Sequence, residues 1–113
     1  MLNLMLGALL IGALQTAGGL ANPAHDQISQ MSEGERRTML AGVLRKNGER
    51  CNSADRTFHQ GNDVRGSAFW NVQCSGEEAW VIQVNNDKRG STHIRDCKTL
   101  KAVNGGTCFK KLR

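Results

Sequence analysis

The sequence predicts a small α+β protein in which an N-terminal helix packs on a three-stranded antiparallel β-meander. A short C-terminal helix follows, and disulfides staple the fold. Two observations carry this prediction: the apolar residues change from helical spacing to alternation near Thr57, and four cysteines fall within 113 residues. With 39% apolar and 22% charged residues, the chain has the composition of one small globular domain.

Residues 2–14 form an apolar run that suits the central region of a signal peptide and is shorter than the roughly 20 residues of a membrane-spanning helix. Gly19 and Ala21 supply small residues for a cleavage site before Asn22. The first 21 residues lack Lys and Arg, although a signal peptide normally begins with positive charge. We expect a signal peptide at residues 1–21 and a periplasmic or extracellular protein with no transmembrane anchor after cleavage.

The mature chain is expected to begin with a flexible leader, residues 22–31, because this segment holds the only proline and little apolar surface. A single α+β domain should occupy residues 32–113. Ser32 and Glu35 have the spacing of a capping box, which predicts a helix from Glu33 to about Lys46. Four residues form the stripe that this helix must bury: Met39, Leu40, Val43 and Leu44.

Alternating patterns predict strands at residues 68–74, 80–84 and 92–96. A three-residue loop at 75–77 would pair Val72 with Trp80 and Trp70 with Ile82, and the following turn would pair Ile82 with Ile94. We expect Trp70 and Ile82 to pack on Leu40 and Leu44. A short strand at residues 57–59 is a candidate for an added edge, and residues 98–103 have the pattern of the C-terminal helix.

The four cysteines are an even number in a small chain that we expect to be processed, which favours disulfides. Only His93 and Cys97 have ligand-like spacing, so no metal site and no cofactor are predicted. Of the three possible connectivities we favour Cys51 with Cys74 and Cys97 with Cys108. Each closes a local loop, and strand alternation directs Cys74 and Cys97 to opposite faces.

The face of the meander opposite the predicted core mixes apolar and hydrogen-bonding side chains, which is typical of a binding surface. In the predicted register one row contains Phe69, Gln83 and His93, and the next contains Asn71, Val81 and Arg95. We single out as the candidate binding face Phe69, Gln83, His93 and Arg95. The alternative is a second small core in which this face is covered by Leu100, Val103 and Phe109.

Charge is unevenly distributed along the chain. Residues 22–87 hold 7 basic and 9 acidic side chains, whereas residues 88–113 hold 8 basic and 1 acidic. This basic third predicts an anionic envelope component or a protein as partner. The patch is represented by Lys98, Lys101, Lys110 and Lys111. Nucleic acid is not favoured because aromatic residues do not alternate with the basic ones, and a role in solubility alone is the alternative.

We therefore expect a binding protein, either an inhibitor or an envelope-associated module. The alternative is a secreted hydrolase such as a ribonuclease, with His59 and His93 as acid and base. Nothing in the sequence brings these two rings together, and adjacent Glu77 and Glu78 are assigned no role.

Residues 51–112 resemble small exported bacterial proteins that have no established activity. The resemblance is carried by Phe69-Trp70, Val72, Cys74, residues 81–84, residues 90–92, Asp96-Cys97, residues 100–103 and Cys108-Phe109. It implies an envelope protein with four paired cysteines and no catalytic residues. The order of one helix and three strands also resembles the PepSY type of extracytoplasmic domain, which implies inhibition or binding.

Overall fold

The computed structural model describes residues 20–76, 78–99 and 106–112. It confirms the α+β class, with four strands in the sheet rather than three. The elements are α1 (Pro23–Gln30), α2 (Glu33–Lys46), β1 (Ala54–Asn62), β2 (Ala68–Cys74), β3 (Ala79–Val84) and β4 (Thr92–Asp96). The strands are antiparallel in the order β1-β2-β3-β4, and residues 97–99 are helical.

The meander has the predicted register. Val72 lies opposite Trp80, Trp70 opposite Ile82, and Ile82 opposite Ile94. The Cys74 N–H donates to the Glu78 carbonyl at 2.9 Å, so three residues separate this pair as predicted. A hydrophobic pattern therefore specified this register, because a slip of one residue would move every apolar side chain to the wrong face.

The edge strand β1 is much longer than the predicted segment of residues 57–59. Its nine residues pair along the whole of β2, and the register shifts between Ala54 and Arg56 and again between His59 and Gly61. Each bulge places an extra residue in the strand and interrupts the alternation of faces. This interruption hid most of the strand from a search for period two.

The prediction of a flexible leader at residues 22–31 is wrong, because this segment forms α1. Asn22 caps the helix by accepting the His25 N–H at 3.1 Å, and Pro23 occupies the first helical position. The Asn22 amide also donates to the carbonyls of Gly66 at 2.8 Å and Val84 at 3.1 Å. The ordered domain therefore extends back to Asn22, and residues 1–19 of the predicted signal peptide lie outside the described residues.

The helix α2 has the capping box predicted for it. Glu35 N–H donates to the Ser32 hydroxyl at 3.1 Å, and Ser32 N–H donates to a Glu35 carboxylate oxygen at 2.9 Å. Leu40 and Leu44 are fully buried against the sheet, and Met39 and Val43 are partly buried. The helix ends before Gly48, whose φ of 87° is the left-handed conformation that favours glycine.

The hydrophobic core lies between the two helices and one face of the sheet. On the sheet its buried members are Ala68, Trp70, Val72, Cys74, Ile82 and Val84. The predicted disulfide connectivity is confirmed: Cys51 is bonded to Cys74 and Cys97 to Cys108. The first bond ties the segment after α2 to the end of β2, and the second ties the end of β4 to the C-terminal segment.

Candidate functional site

The second face of the sheet, opposite the core, is divided into a covered half and an open half. A network of buried amides covers the β1–β2 half. Asn71, which is fully buried, accepts the Phe109 N–H at 2.6 Å and donates to Gln60 Oε1 at 3.0 Å. The Gln60 amide donates in turn to the carbonyls of Thr107 at 3.0 Å and Lys110 at 3.2 Å. Residues 106–112 are thereby fixed across this half of the face.

Aromatic contacts complete the covered half. The Phe109 and Phe58 rings have centroids 6.2 Å apart, and the Arg56 guanidinium carbon lies 4.0 Å from the Phe109 ring centroid. The alternative of a second small core is therefore realised here in part, through Phe109. Leu100 and Val103, its other predicted members, lie outside the described residues.

The open half, over β2, β3 and β4, contains a pocket of about 280 Å³. All four side chains of the predicted binding face line it: Phe69, Gln83, His93 and Arg95. The remaining lining residues are Gln60, Asp63, Val81, Gly106 and Leu112. The register explains this convergence, because Phe69, Gln83 and His93 are opposed across three adjacent strands, and Val81 is opposed to Arg95 in the next row.

The pocket combines apolar walls with a polar side on which Arg95 is the cation. Phe69, Val81 and Leu112 supply the apolar surface, while His93 and Arg95 are exposed. The acidic member, Asp63, is already engaged, because one of its carboxylate oxygens accepts the N–H groups of Arg65 and Ser67, each at 2.9 Å. Such a pocket can bind an anionic group that is attached to an apolar or hydroxylated body.

The predicted basic patch does not form a uniform free surface. Lys98, Lys110 and Lys111 are exposed, and Lys101 lies outside the described residues. Lys111 is engaged in packing: its ammonium donates to the His59 carbonyl at 2.8 Å and lies 5.4 Å from the Phe58 ring centroid. Of the four lysines, Lys98 and Lys110 are thus the appropriate probes of a solvated cationic surface.

The paired arrangement of His59 and His93 that a ribonuclease site would need is not formed. His59 lies opposite Trp70 and stacks on that ring at 4.9 Å, on the core face, whereas His93 lies opposite Gln83 on the second face. His59 is instead next to His25, with ring centroids 4.5 Å apart. The sequence-based interpretation missed this pair because it placed His25 in a flexible leader.

The His25 ring is committed to holding α1 against the sheet. Trp70 Nε1–H donates to His25 Nδ1 at 3.0 Å, and the Ser29 hydroxyl lies 3.3 Å from Nε2. Burial lowers the pKa of His25, nearby His59 lowers it further, and Asp26 opposes the shift. Nδ1 of His25 must be unprotonated to accept the Trp70 N–H, so the pair of His25 and His59 has a packing role in this conformation.

Within the described ranges, no three His, Cys, Asp or Glu side chains converge as metal ligands do. Cys97, which has ligand-like spacing to His93, is bonded to Cys108 in a disulfide. Comparisons with family models, with curated proteins and with solved structures find no match to this chain. The likeness to exported four-cysteine proteins and to PepSY domains therefore stays a prediction.

Proposed function

We propose that this chain is an exported binding protein that takes an anionic group of its partner into the pocket on the second face of the sheet. The observation that carries the proposal is the pocket itself, where His93 and Arg95 stand beside the apolar surface of Phe69 and Val81. The two helices cover the other face, so the second face is where a rigid sheet presents side chains to a partner.

Two features support export. Two disulfides are typical of proteins that fold in an oxidising compartment. Asn22, the first residue after the expected cleavage, anchors α1 through its side chain, while Leu20 and Ala21 are exposed. Among the described residues, neither helix is long and apolar enough to cross a bilayer. We expect the exported form to begin at Asn22 and to weigh four hydrogens less than its fully reduced chain, as intact mass spectrometry would measure.

The shape and chemistry of the pocket favour an acidic sugar as the group it binds. A volume of about 280 Å³ is at the small end of ligand sites and suits one ring rather than a large cofactor. The Arg95 guanidinium can bind a carboxylate through two parallel hydrogen bonds. The Gln83 amide and the His93 ring can hydrogen-bond hydroxyls, and Phe69 offers a flat apolar surface. We infer that the partner is an acidic polysaccharide of the cell envelope.

The test is the affinity of the purified exported form for oligogalacturonate, measured by calorimetry. Arg95→Gln should abolish detectable binding, because it removes the cation that would face the carboxylate. The matched control is the double variant Lys98→Gln/Lys110→Gln, which removes two exposed cations outside the pocket and should retain most of the affinity. Phe69→Ala should weaken binding without changing its salt dependence.

Two outcomes would overturn the proposal. Loss of binding in the lysine variant but not in Arg95→Gln would place recognition on the lysines of the basic C-terminal third, outside the pocket. Absence of binding by the unsubstituted protein at low salt would remove acidic polysaccharide as the partner. Hydrolysis of the oligogalacturonate, detected by the release of reducing ends, would instead favour the secreted hydrolase.

A further inference from the structure

The β1–β2 and β3–β4 turns have the same sequence pattern, Asn-Asp-x-Arg-Gly-Ser, at residues 62–67 and 86–91. Neither turn was among the sequence-predicted site residues. In an antiparallel meander the first and third connections emerge at the same end of the sheet. We call these two segments the twin turns.

The twin turns also share one backbone arrangement. In the first, Asp63 Oδ1 accepts the N–H groups of Arg65 and Ser67, both at 2.9 Å. In the second, Asp87 Oδ1 does the same for Arg89 at 3.1 Å and Ser91 at 3.0 Å. The glycine of each turn has a positive φ, 87° at Gly66 and 62° at Gly90. The aspartates and glycines therefore set the turn, and the residues between them are free to serve another role.

The two turns are fixed side by side. The Asn86 amide donates to the Arg65 carbonyl at 3.3 Å, which links the second turn to the first. The Asn22 amide donates to the Gly66 carbonyl at 2.8 Å and so ties the start of α1 to the same place. The central side chains of both turns are thus presented from one rigid end of the sheet.

This end of the molecule combines exposed cations with exposed apolar side chains. Arg65, Lys88 and Arg89 are exposed, and within the described ranges the single ion pair is Arg36 with Glu33, on α2. Val64 is 95% exposed at the tip of the first turn, and in the uncleaved chain Leu20, which cleavage before Asn22 would remove, is 59% exposed. The Ser91 bonds lower the pKa of Asp87, so that carboxylate stays charged within the turn while the arginines remain without a carboxylate partner.

The chain enters the domain at this same end. A Cβ placed on Gly66 would lie 2.8 Å from the Leu20 Cβ, so Leu20 packs directly on the first turn. The apolar run of residues 2–14 precedes Leu20 in the sequence of the uncleaved chain. Before cleavage, the expected signal peptide would join the domain at this end, through Leu20.

We propose that the twin turns dock the protein on an anionic lipid surface, with Arg65, Lys88 and Arg89 on phosphate groups and Val64 inserted at the headgroup level. Basic side chains interleaved with an exposed apolar residue suit an anionic bilayer surface, because the cations bind headgroups while the apolar side chain leaves water. The proposal shares with the proposed function only the expectation of export, and it uses a different set of side chains.

The experiment is co-sedimentation of the exported form with vesicles rich in phosphatidylglycerol, compared with vesicles of phosphatidylcholine alone. The double variant Arg65→Gln/Arg89→Gln should lower the partition coefficient about 30-fold, which corresponds to about 1 kcal/mol for each basic residue at an anionic surface. The matched control is Lys98→Gln/Lys110→Gln, which removes the same charge elsewhere and should lower partitioning much less. The arginine variant should unfold at the same urea concentration as the parent, because both arginine side chains are exposed and neither forms an ion pair among the described residues.

A second readout tests insertion. Val64→Trp should show a blue-shifted emission on phosphatidylglycerol vesicles relative to its emission in buffer, and this shift should disappear when Arg65 and Arg89 are also replaced by Gln. Val64→Ser should reduce partitioning without altering its dependence on salt, because it removes only the apolar contact.

Three results would overturn the proposal: equal binding to neutral vesicles, loss of binding in the lysine control rather than in the arginine variant, and no sedimentation at low salt. The assays also separate this proposal from the proposed function. Arg95→Gln should leave vesicle binding intact, and Arg65→Gln/Arg89→Gln should leave oligogalacturonate binding intact. If the arginine variant instead loses only oligogalacturonate binding, the twin turns recognise polysaccharide and the lipid proposal is wrong.

Discussion

The two faces of the sheet are stabilised by different interactions, although the same strands supply both. On the core face, apolar side chains from β2 and β3 pack against α1 and α2. On the second face, Asn71 and Gln60 are buried as deeply as the core residues but are held by hydrogen bonds to the C-terminal segment. Trp70 and Phe69 are neighbours in sequence, yet the first belongs to the core and the second to the pocket.

This difference indicates how the protein keeps one face available for a partner. Apolar packing is non-directional and would close over any exposed hydrophobic surface. Buried amides are directional, and each must find its partners. The Asn71 network therefore fixes the C-terminal segment over β1 and β2, and the pocket is left over the rest of the sheet.

The comparison is tested most strongly by truncating the neighbouring aromatic residues. Trp70→Ala should lower the free energy of unfolding by about 3 to 5 kcal/mol, because it leaves a cavity in the core. Phe69→Ala should cost about 1 kcal/mol, because its side chain is only half-buried. Urea unfolding followed by circular dichroism measures both. Equal losses would show that the second face contributes to the fold as a core does.

The two disulfides also divide between the faces. The chain-entropy model gives each about 3 kcal/mol, since the sequence separations are 23 and 11 residues. Cys51 and Cys74 are buried in the core, whereas Cys97 and Cys108 are half-buried. Replacing the first pair by Ala should therefore cost more than replacing the second, because it also leaves a cavity.

Ligand binding distinguishes the two variants that each lack one disulfide. Loss of the Cys97–Cys108 bond should weaken ligand binding at the pocket, because Gly106 and Leu112 belong to the tethered segment. Loss of the Cys51–Cys74 bond should leave the affinity of the folded fraction unchanged. The reverse pattern would contradict the division between a stabilising face and a binding face.

Much of this organisation could be predicted from local patterns. Strand alternation specified the pairing of Trp70 with Ile82, and the spacing of Ser32 and Glu35 specified the start of α2. The strand on which α1 packs was also placed correctly, but α1 itself was missed. Asn22 and Pro23 are signals of a helix start, yet the segment that follows them has little apolar surface. Its stability comes from tertiary contacts of Asn22 and His25, which no local pattern reports.

The candidate site was also predicted only in part, because some of its features depend on tertiary contacts that no local pattern reports. Its four side chains follow from register alone, since opposed residues of a known pairing share a face. Closure of the neighbouring half depends on Gln60, which lies beyond a bulge in β1, and on Phe109, which has a positive φ of 63°. Neither an irregular strand nor a left-handed phenylalanine has a signature in the hydrophobic pattern. The twin turns did have a signal, their repeated hexapeptide.

The amide network should be worth less than the core aromatic residue. Asn71→Ala leaves the Gln60 side-chain oxygen Oε1 and the Phe109 N–H without their partner, which should cost about 1 to 3 kcal/mol. Hydrogen exchange of the Phe109 and Leu112 amides should accelerate more than exchange in β3. Gln83→Ala is the control, because its amide bonds only to Asn85, on the pocket side. Unchanged exchange at Phe109 would show that Asn71 does not hold the C-terminal segment.

The smallest effect concerns pH and the contact between His25 and Trp70. Because the pKa of His25 is lowered in the folded protein, its contribution to stability is complete above the unfolded pKa of about 6.5 and declines as the pH falls below that value. One proton taken up on unfolding limits the slope to about 1.4 kcal/mol per pH unit. His25→Asn places an amide oxygen where Nδ1 accepts from Trp70, so this variant should lose most of the acid-dependent slope.

Indole emission gives a site-specific measurement of the same event. In a Trp80→Phe background, the emission of Trp70 should change at a pH below the ordinary histidine pKa of about 6.5, because the pKa of His25 is lowered and a protonated Nδ1 cannot accept the indole N–H. The titratable or charged groups around this contact are His59 on β1, Asp26 on α1 and Arg36 on α2, whose guanidinium carbon lies 5.0 Å from the Trp70 ring centroid. The control is His93→Asn on the second face, which should leave the profile unchanged. An identical profile in His25→Asn would contradict the assignment of the emission change to the contact between His25 and Trp70.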